Sequence, residues 1–328
     1  MKKNNKTFLL TLLFFILTCL LLSYPKESLA FSLTGLQLWF NKMIPALLPF
    51  MILSGIMIRL NLTEHFVKVL SPFLTPLLHI SLNGIYAVVI GFLCGFPMGA
   101  KVIADLYSCN KISKKEASFL LSFCNNIGPV YFISFVLPTL NLQKKIPYIF
   151  GMYGLPLLYG ILLRYTICRN AFSYTVNLQL PVSNVKKFLS AAETPASDSL
   201  LDALDDSILS GLYSIAKLGG YMVLFNLLNL VPRAFFRPMN VAGTDSGAII
   251  NCLLEITSGI SRMGDNAPLI VLLLLPFGGF SCIAQTYSMI KDTDLSLRSY
   301  ICHKIILTVL TAIYYGLWRL FFPSAFLL

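Results

Sequence analysis

Some uncharged runs in this sequence are too long to belong to the core of a soluble domain. Ala267 to Ile290 holds 24 consecutive residues without Asp, Glu, Lys or Arg, and Thr7 to Tyr24 holds 18. A helix needs about 20 apolar residues to cross the hydrocarbon of a bilayer, and a barrel strand about 10. Only helices and closed barrels satisfy every backbone group there, so runs of this length read as helical spans. Composition agrees: 56% of the 328 residues are hydrophobic, 12% are charged, and mean hydropathy is +0.76. Soluble domains carry about 25% charged residues. The expected fold class is an all-α polytopic membrane protein with about 7–8 transmembrane helices, multi-pass in the cell membrane.

The net charge of +11 comes largely from short basic clusters between apolar runs: Lys2/Lys3/Lys6, Lys111/Lys114/Lys115, Lys144/Lys145 and Lys186/Lys187. Cytoplasmic loops and headgroup contacts require such clusters, which makes membrane lipid the partner and leaves no case for nucleic acid. The eight cysteines are scattered, with no CxxC and no histidine cluster beside them, so no disulfide framework, metal or cofactor is expected. HExxH, GxSxG and paired aspartates within spans are all missing, so the chain does not read as an enzyme.

In order, residues 1–30 form an N-terminal anchor. Ser28-Leu29-Ala30 also fits a cleaved signal peptide, but the long run and the closeness of the next span favour retention. Residues 31–163 form a first membrane repeat, 164–206 a polar linker and 207–328 a second repeat. In the first, Trp39 and Phe40 suit an outer interfacial anchor, Met43 to Leu60 a span, and Asn61 to His79 a kinked surface helix. The second offers a span at Ser207 to Pro232, a half-length apolar piece at Ala248 to Ile260, the run to Ile290, and a last span at Ile301 to Phe322.

The halves resemble each other in three places. Phe50 to Leu53 parallels Tyr221 to Leu224, Leu77 to Ile85 parallels Leu253 to Ile260, and Gly95 to Lys101 parallels Gly279 to Gln285. If His79 to Lys101 is a re-entrant hairpin broken near its apex, Lys111, Lys114 and Lys115 stay inside and the halves are inverted. A single crossing would make them parallel. The lysines favour the hairpin, whereas Arg233, Arg237, Lys291, Arg298 and Lys304 oppose it, because this register puts them outside. Inverted halves with broken or re-entrant segments are the expectation, and paired breaks of this kind mark transporter binding sites.

Candidate site residues sit at those breaks, because polar groups at membrane depth are costly and default to function. Gly95, Pro97 and Gly99 interrupt the first run, with Lys101 and Asp105 four apart on one helical face. Asn125, Asn126, Gly128 and Pro129 interrupt the next, where the amides serve either as ligand or gate contacts or as interhelical glue. Glu255, with Thr257 and Gly259, has no cation nearby in sequence and needs a partner such as Lys101 or Lys217, or a raised pKa. Gly279 and Gln285 complete the second set.

Gly-Phe-Pro-Met-Gly-Ala-Lys101, Ser122 to Asn126 with Gly128-Pro129, Leu254 to Ile260, and Phe277 to Ser281 with Gln285 occur in the order seen in one family. Gly35 to Trp39 and Pro45 to Phe50 match it too, while Phe96 stands where a tyrosine is expected. Together these motifs resemble the sporulation integral membrane protein YlbJ family, whose nucleoside-recognition (Gate) domain is shared with spore maturation proteins. The resemblance implies a role in spore formation, at a forespore or mother-cell membrane, and supplies no substrate. The functional expectation is a transporter or gate for a small polar solute, nucleoside-like by the domain's name. A non-transporting assembly or signalling protein, working with its own copies or a spore-membrane partner, is the alternative.

Overall fold

The computed structural model describes residues 2–142, 145–168, 200–235, 240–241, 244–264 and 266–322. Most of the expected linker, with Lys186, Lys187 and also Arg237, lies outside the described residues. Helix α1 (Lys2–Ser23) carries the first uncharged run and closes before residue 30, because Pro25 opens α2 (Pro25–Arg59). A wider π-helical turn at Trp39–Met43 precedes Pro45 and Pro49 in α2, as backbone freed by proline requires. Trp39 is not an interfacial anchor: its Nε1 donates to Ile215 O at 2.8 Å. Short α3 (Thr63–Val67) and α4 (Ser71–Leu78) follow, and α5 (Leu82–Cys94) turns 102° away from α4. Then come α6 (Met98–Ser108), α7 (Lys114–Leu121), α8 (Pro129–Thr139) and α9 (Lys145–Tyr165).

The second half begins with α10 (Leu200–Leu227) and α11 (Leu230–Phe235). A two-residue antiparallel ladder, Asn240–Val241 with Thr244–Asp245, leads into α12 (Ser246–Leu254). After it come α13 (Ile256–Met263), α14 (Pro268–Leu274), α15 (Gly279–Ile290) and α16 (Leu297–Phe321).

Side-chain contacts sort the helix ends onto two faces. Arg59, closing α2, reaches Asp206 (3.7 Å) and Ser207 Oγ (3.0 Å) near the start of α10. Lys111, after α6, donates to Ile58 O and to Asn61 Oδ1. Lys114, opening α7, pairs with Asp294 (2.6 Å) between α15 and α16, and holds that carboxyl below its usual range. Arg164, near the end of α9, donates to Leu78 O at 3.0 Å, beside the start of α5, where Glu116 Oε1 accepts from Ser81 N at 2.8 Å. These ends share one face, rich in Arg and Lys, and the positive-inside rule makes it cytoplasmic. On the opposite face Glu27 pairs with Arg233 (3.6 Å), and Tyr315, towards the end of α16, donates to Tyr148 O near the start of α9.

The path between those faces is an inverted repeat. In the first half, α2 descends to the basic face, α5 and α6 dip from it and return, α7–α8 crosses away with a break, and α9 comes back. In the second, α10 crosses to the opposite face, α12 and α13 dip from that face and return, α14–α15 crosses with a break, and α16 follows. Equivalent helices α2 and α10 run antiparallel: a Cβ on Gly35 would meet Met222, one on Gly55 would meet Ser207, and one on Gly211 would meet Leu48. Among the described residues five stretches are long and apolar enough to cross a membrane, the broken α14–α15 included. The broken α7–α8 and the apolar α1 bring the total to the expected range. The bent pair α4–α5 would pass on length and composition, but α6 returns to the face that α5 left.

The register of the repeat differs from the sequence match. Gly95 to Lys101, at the apex of the first hairpin, was expected opposite Gly279 to Gln285, yet the latter lies in a broken span. Helices α6 and α15 run side by side in one direction, with Phe96 beside Gly278 at one end and Tyr107 bonded to Asp294 (2.8 Å) at the other. The structural counterpart of Gly95-Phe96-Pro97 is the Glu255 apex, and that of Cys124 to Gly128 is Leu275 to Gly278. Both classes of break use Gly and Pro inside apolar runs, so short matches between them arise without equivalence. The cost disappears with it: Lys291 and Arg298 join Lys111 on the basic face, and inversion no longer conflicts with them.

In a background without the exposed Cys19, Cys109 and Cys302, single cysteines at Lys115 and Asp292 should react with a membrane-impermeant thiol reagent from the same side. A cysteine at Asn266 should react from the other. Opposite labelling of Lys115 and Asp292 would break the topology.

Candidate functional site

The two hairpin apices and the first break converge on one cavity of about 260 Å³ near mid-membrane, with Cys282 and Gln285 of α15 completing its wall. At the first apex, Gly95 has φ 83° and ψ −170°, a conformation open to glycine alone, and a Cβ there would strike the Gly128 amide. Phe96 N donates to Asn126 O (2.5 Å), which ties apex to break, and Phe96-Pro97 is a cis peptide. Gly99 lets α6 lie on the Cys124 carbonyl, 2.6 Å from where its Cβ would be. Pro129 does not break a helix interior. The chain is already unwound through Gly128, and Pro129 opens α8, where its missing N–H costs nothing.

At the second apex, Glu255 is the N-cap of α13. Its Oε2 accepts from Ser258 N (2.8 Å) and Thr257 Oγ1 (2.5 Å), so the helix N-terminus carries part of the charge. Gly259 brings α13 onto the backbone of Cys252, and Gly279 (φ 78°) sits close to the Cys252 and Leu253 carbonyls. The proposed cation partners of Glu255 are elsewhere. Lys101 pairs with Asp105 at 3.1 Å and reaches Ser210 Oγ of α10 at 3.3 Å, while Lys217 lies over the Tyr213 ring. Helical spacing brought Lys101 and Asp105 together as expected, but neither lines the cavity.

Both asparagines bond across helices. Asn125 accepts from Ala100 N (3.3 Å) and donates to Thr286 Oγ1 (2.9 Å) and Tyr300 OH (3.0 Å), joining α6, α15 and α16. Asn126 donates to Phe123 O (2.6 Å) and accepts from Lys304 Nζ (3.1 Å). Of the sequence candidates, Gly128, Glu255, Thr257 and Gln285 line the cavity, and Gly95, Pro97, Gly99, Pro129, Gly259 and Gly279 shape the backbone around it.

Two residues escaped sequence reasoning. Tyr131 lines the cavity with a buried hydroxyl that has no hydrogen-bond partner among the described residues, within electrostatic reach of Glu255. Lys304, grouped with loop cations, is 2% exposed. Its signal was its place inside the span beginning at Ile301. The cavity is thus mainly apolar, from Phe50, Leu93, Phe96 and Ile127, with a polar end made by Glu255, Thr257, Gln285 and Tyr131.

The fold and site define a polytopic helical membrane protein in which two inverted sets of re-entrant hairpin and broken span surround a mid-membrane cavity. The chain is similar to the sporulation integral membrane protein YlbJ of Bacillus subtilis (strain 168), with 26% identity over 338 residues, 95% of this chain and 83% of that protein. That likeness supports the resemblance to the YlbJ family. No family model matches the chain, and no solved structure does.

Gly95→Ala should destabilise the protein by about 3 kcal/mol or more, since it adds forbidden backbone geometry to a backbone clash. The measurement is thermal unfolding of detergent-purified protein. An unchanged midpoint would refute the apex contact.

Proposed function

We propose that this protein is a transporter or solute gate for a small polar solute and that it acts in spore formation. One observation carries the transport reading: both apices, the first break and helix α15 beyond the second meet at a single cavity whose polar end is built by Glu255, Thr257, Gln285 and Tyr131. Irregular backbone at membrane depth is tolerated where it is packed in protein or lines such a cavity. Lining the cavity from both halves lets a rocking of one hairpin set against the other expose it to each face in turn. The sporulation role is drawn from the name of the relative. A nucleoside suits the site in that its base would lie among Phe50, Phe96 and Tyr131, while its hydroxyls would donate to Glu255.

Glu255→Gln keeps an oxygen for the Ser258 amide, so the folded yield should hold. Uptake of uridine or adenosine into vesicles should fall at least tenfold, about 1.4 kcal/mol. Tyr131→Phe should leave thermal stability within about 0.5 kcal/mol and weaken solute affinity. Wild-type vesicles that move none of a panel of nucleosides and small amines, with Glu255→Gln cells sporulating normally, would defeat the transport reading.

A further inference from the structure

Lys304 is a fully buried cationic residue near mid-membrane in α16, and no carboxylate lies within ion-pair distance among the described residues. Its Nζ donates to Asn126 Oδ1 at 3.1 Å. The rings of Phe96 and Tyr300 lie 5.9 and 5.7 Å away. The thiols of Cys124 and Cys282 are its titratable neighbours, together with the Tyr300 hydroxyl. Cys282 stands within electrostatic reach of both Lys304 and Glu255. A charge at this depth is costly unless paired, and an amine can lose its charge by giving up a proton.

Lys304 lines neither of two nearby cavities itself, but its ring neighbours Tyr300 and Phe96 each line one. Towards the basic face is a small cavity of about 10 Å³, walled by Leu121 and by the polar groups of Ser118, Ser122, Ser296, Ser299, Tyr300 and His303. It is about the size of one water molecule. Ser118, Ser296 and Ser299 are exposed at its mouth. On the other side are Phe96 and Cys282, which line the central cavity. Phe96 belongs to the apex of the first hairpin and is tied to Asn126, the acceptor for Lys304. Movement of that apex therefore changes what the amine meets.

We propose that Lys304 is the proton-binding site that couples solute movement to the proton gradient. The amine takes up a proton from water in the serine-lined cavity. The ammonium that forms is held by Asn126 Oδ1 and by the Phe96 and Tyr300 faces. The proton leaves when the first hairpin moves and opens Lys304 to the central cavity. One proton binds and one is released, with no other reactant. The coupling rests on the transport reading, whereas the protonation of Lys304 does not.

Two measurements test it separately. Thermal unfolding of the purified full chain is followed from about pH 5 to 9, comparing wild type with Lys304→Met, which keeps the bulk and removes the titrating group. The difference between the two profiles should step with pH, and parallel profiles would overturn the proton site. In vesicles, a proton gradient should raise wild-type uridine accumulation at least tenfold over gradient-free exchange, and Lys304→Met should exchange without responding to the gradient. Equal responses overturn the coupling. If Lys304→Met does not fold, Ser118→Leu, which plugs the cavity mouth, should slow the response to a pH jump without changing its end point. An unaltered rate overturns the proposed route. Vesicles that move no solute, beside a stepped unfolding difference, remove the transport reading and leave the proton site standing.

Discussion

In the hydrocarbon of a bilayer there is no water to satisfy a backbone that leaves the helix, and each orphaned group costs several kcal/mol. Every unusual feature of this structure is an answer to that constraint. The unwound segment Cys124 to Gly128 survives because Phe96 N donates to Asn126 O, Asn126 caps Phe123 O, and Asn125 reaches Thr286 and Tyr300. The glycines let these segments approach without side chains between them. Gly95 lies against Gly128, Gly99 against the Cys124 carbonyl, and Gly259 against Cys252. Each apex is thus made of two partners that are unwound together, and neither could stand in lipid alone.

The charged groups follow the same logic. Glu255 is tolerated because the N-terminus of α13 and the Thr257 hydroxyl meet its oxygens. Lys101 is tolerated because Asp105 is one turn away, with Ser210 beyond. Lys304 has an amide oxygen and two ring faces instead of a counter-charge. On that difference rests the proposal that Lys304 binds and releases a proton. The large apolar side chains left exposed, such as Phe14, Val130, Leu162 and Leu320, face outward where lipid replaces solvent.

Much of the architecture was legible in the chain. The uncharged runs located the spans, because membrane crossing depends on length and hydropathy, which are local properties. The breaks were legible as well, since Gly-Phe-Pro at residue 95 and Asn-Asn-Ile-Gly-Pro at residue 125 cannot continue an ordinary lipid-facing helix. Which break answers which was not. Pairing Gly95 with Gly279 rested on a shared Gly-Phe, and only the contacts of Tyr107 with Asp294 and of Phe96 with Gly278 expose the two helices as parallel neighbours. Likewise Lys101 was read as a candidate partner for Glu255, although a helix turn had already given it Asp105.

The sequence by itself determined the solvent this protein lives in, the approximate places where its helices break, and the residues from which a site could be built. Those follow from hydropathy and from the conformational limits of Gly and Pro, which act over a few residues. The tertiary structure alone decided that Glu255 lines the cavity while Lys101 turns away, that both asparagines bond to other helices, and that Tyr131 lines the cavity while Lys304 is buried against Asn126. Those outcomes depend on which segments meet across more than a hundred residues of chain, as Asn126 and Lys304 do with a separation of 178. No local pattern carries that information, because the bonds that fix it are made only after the two inverted halves have closed on each other.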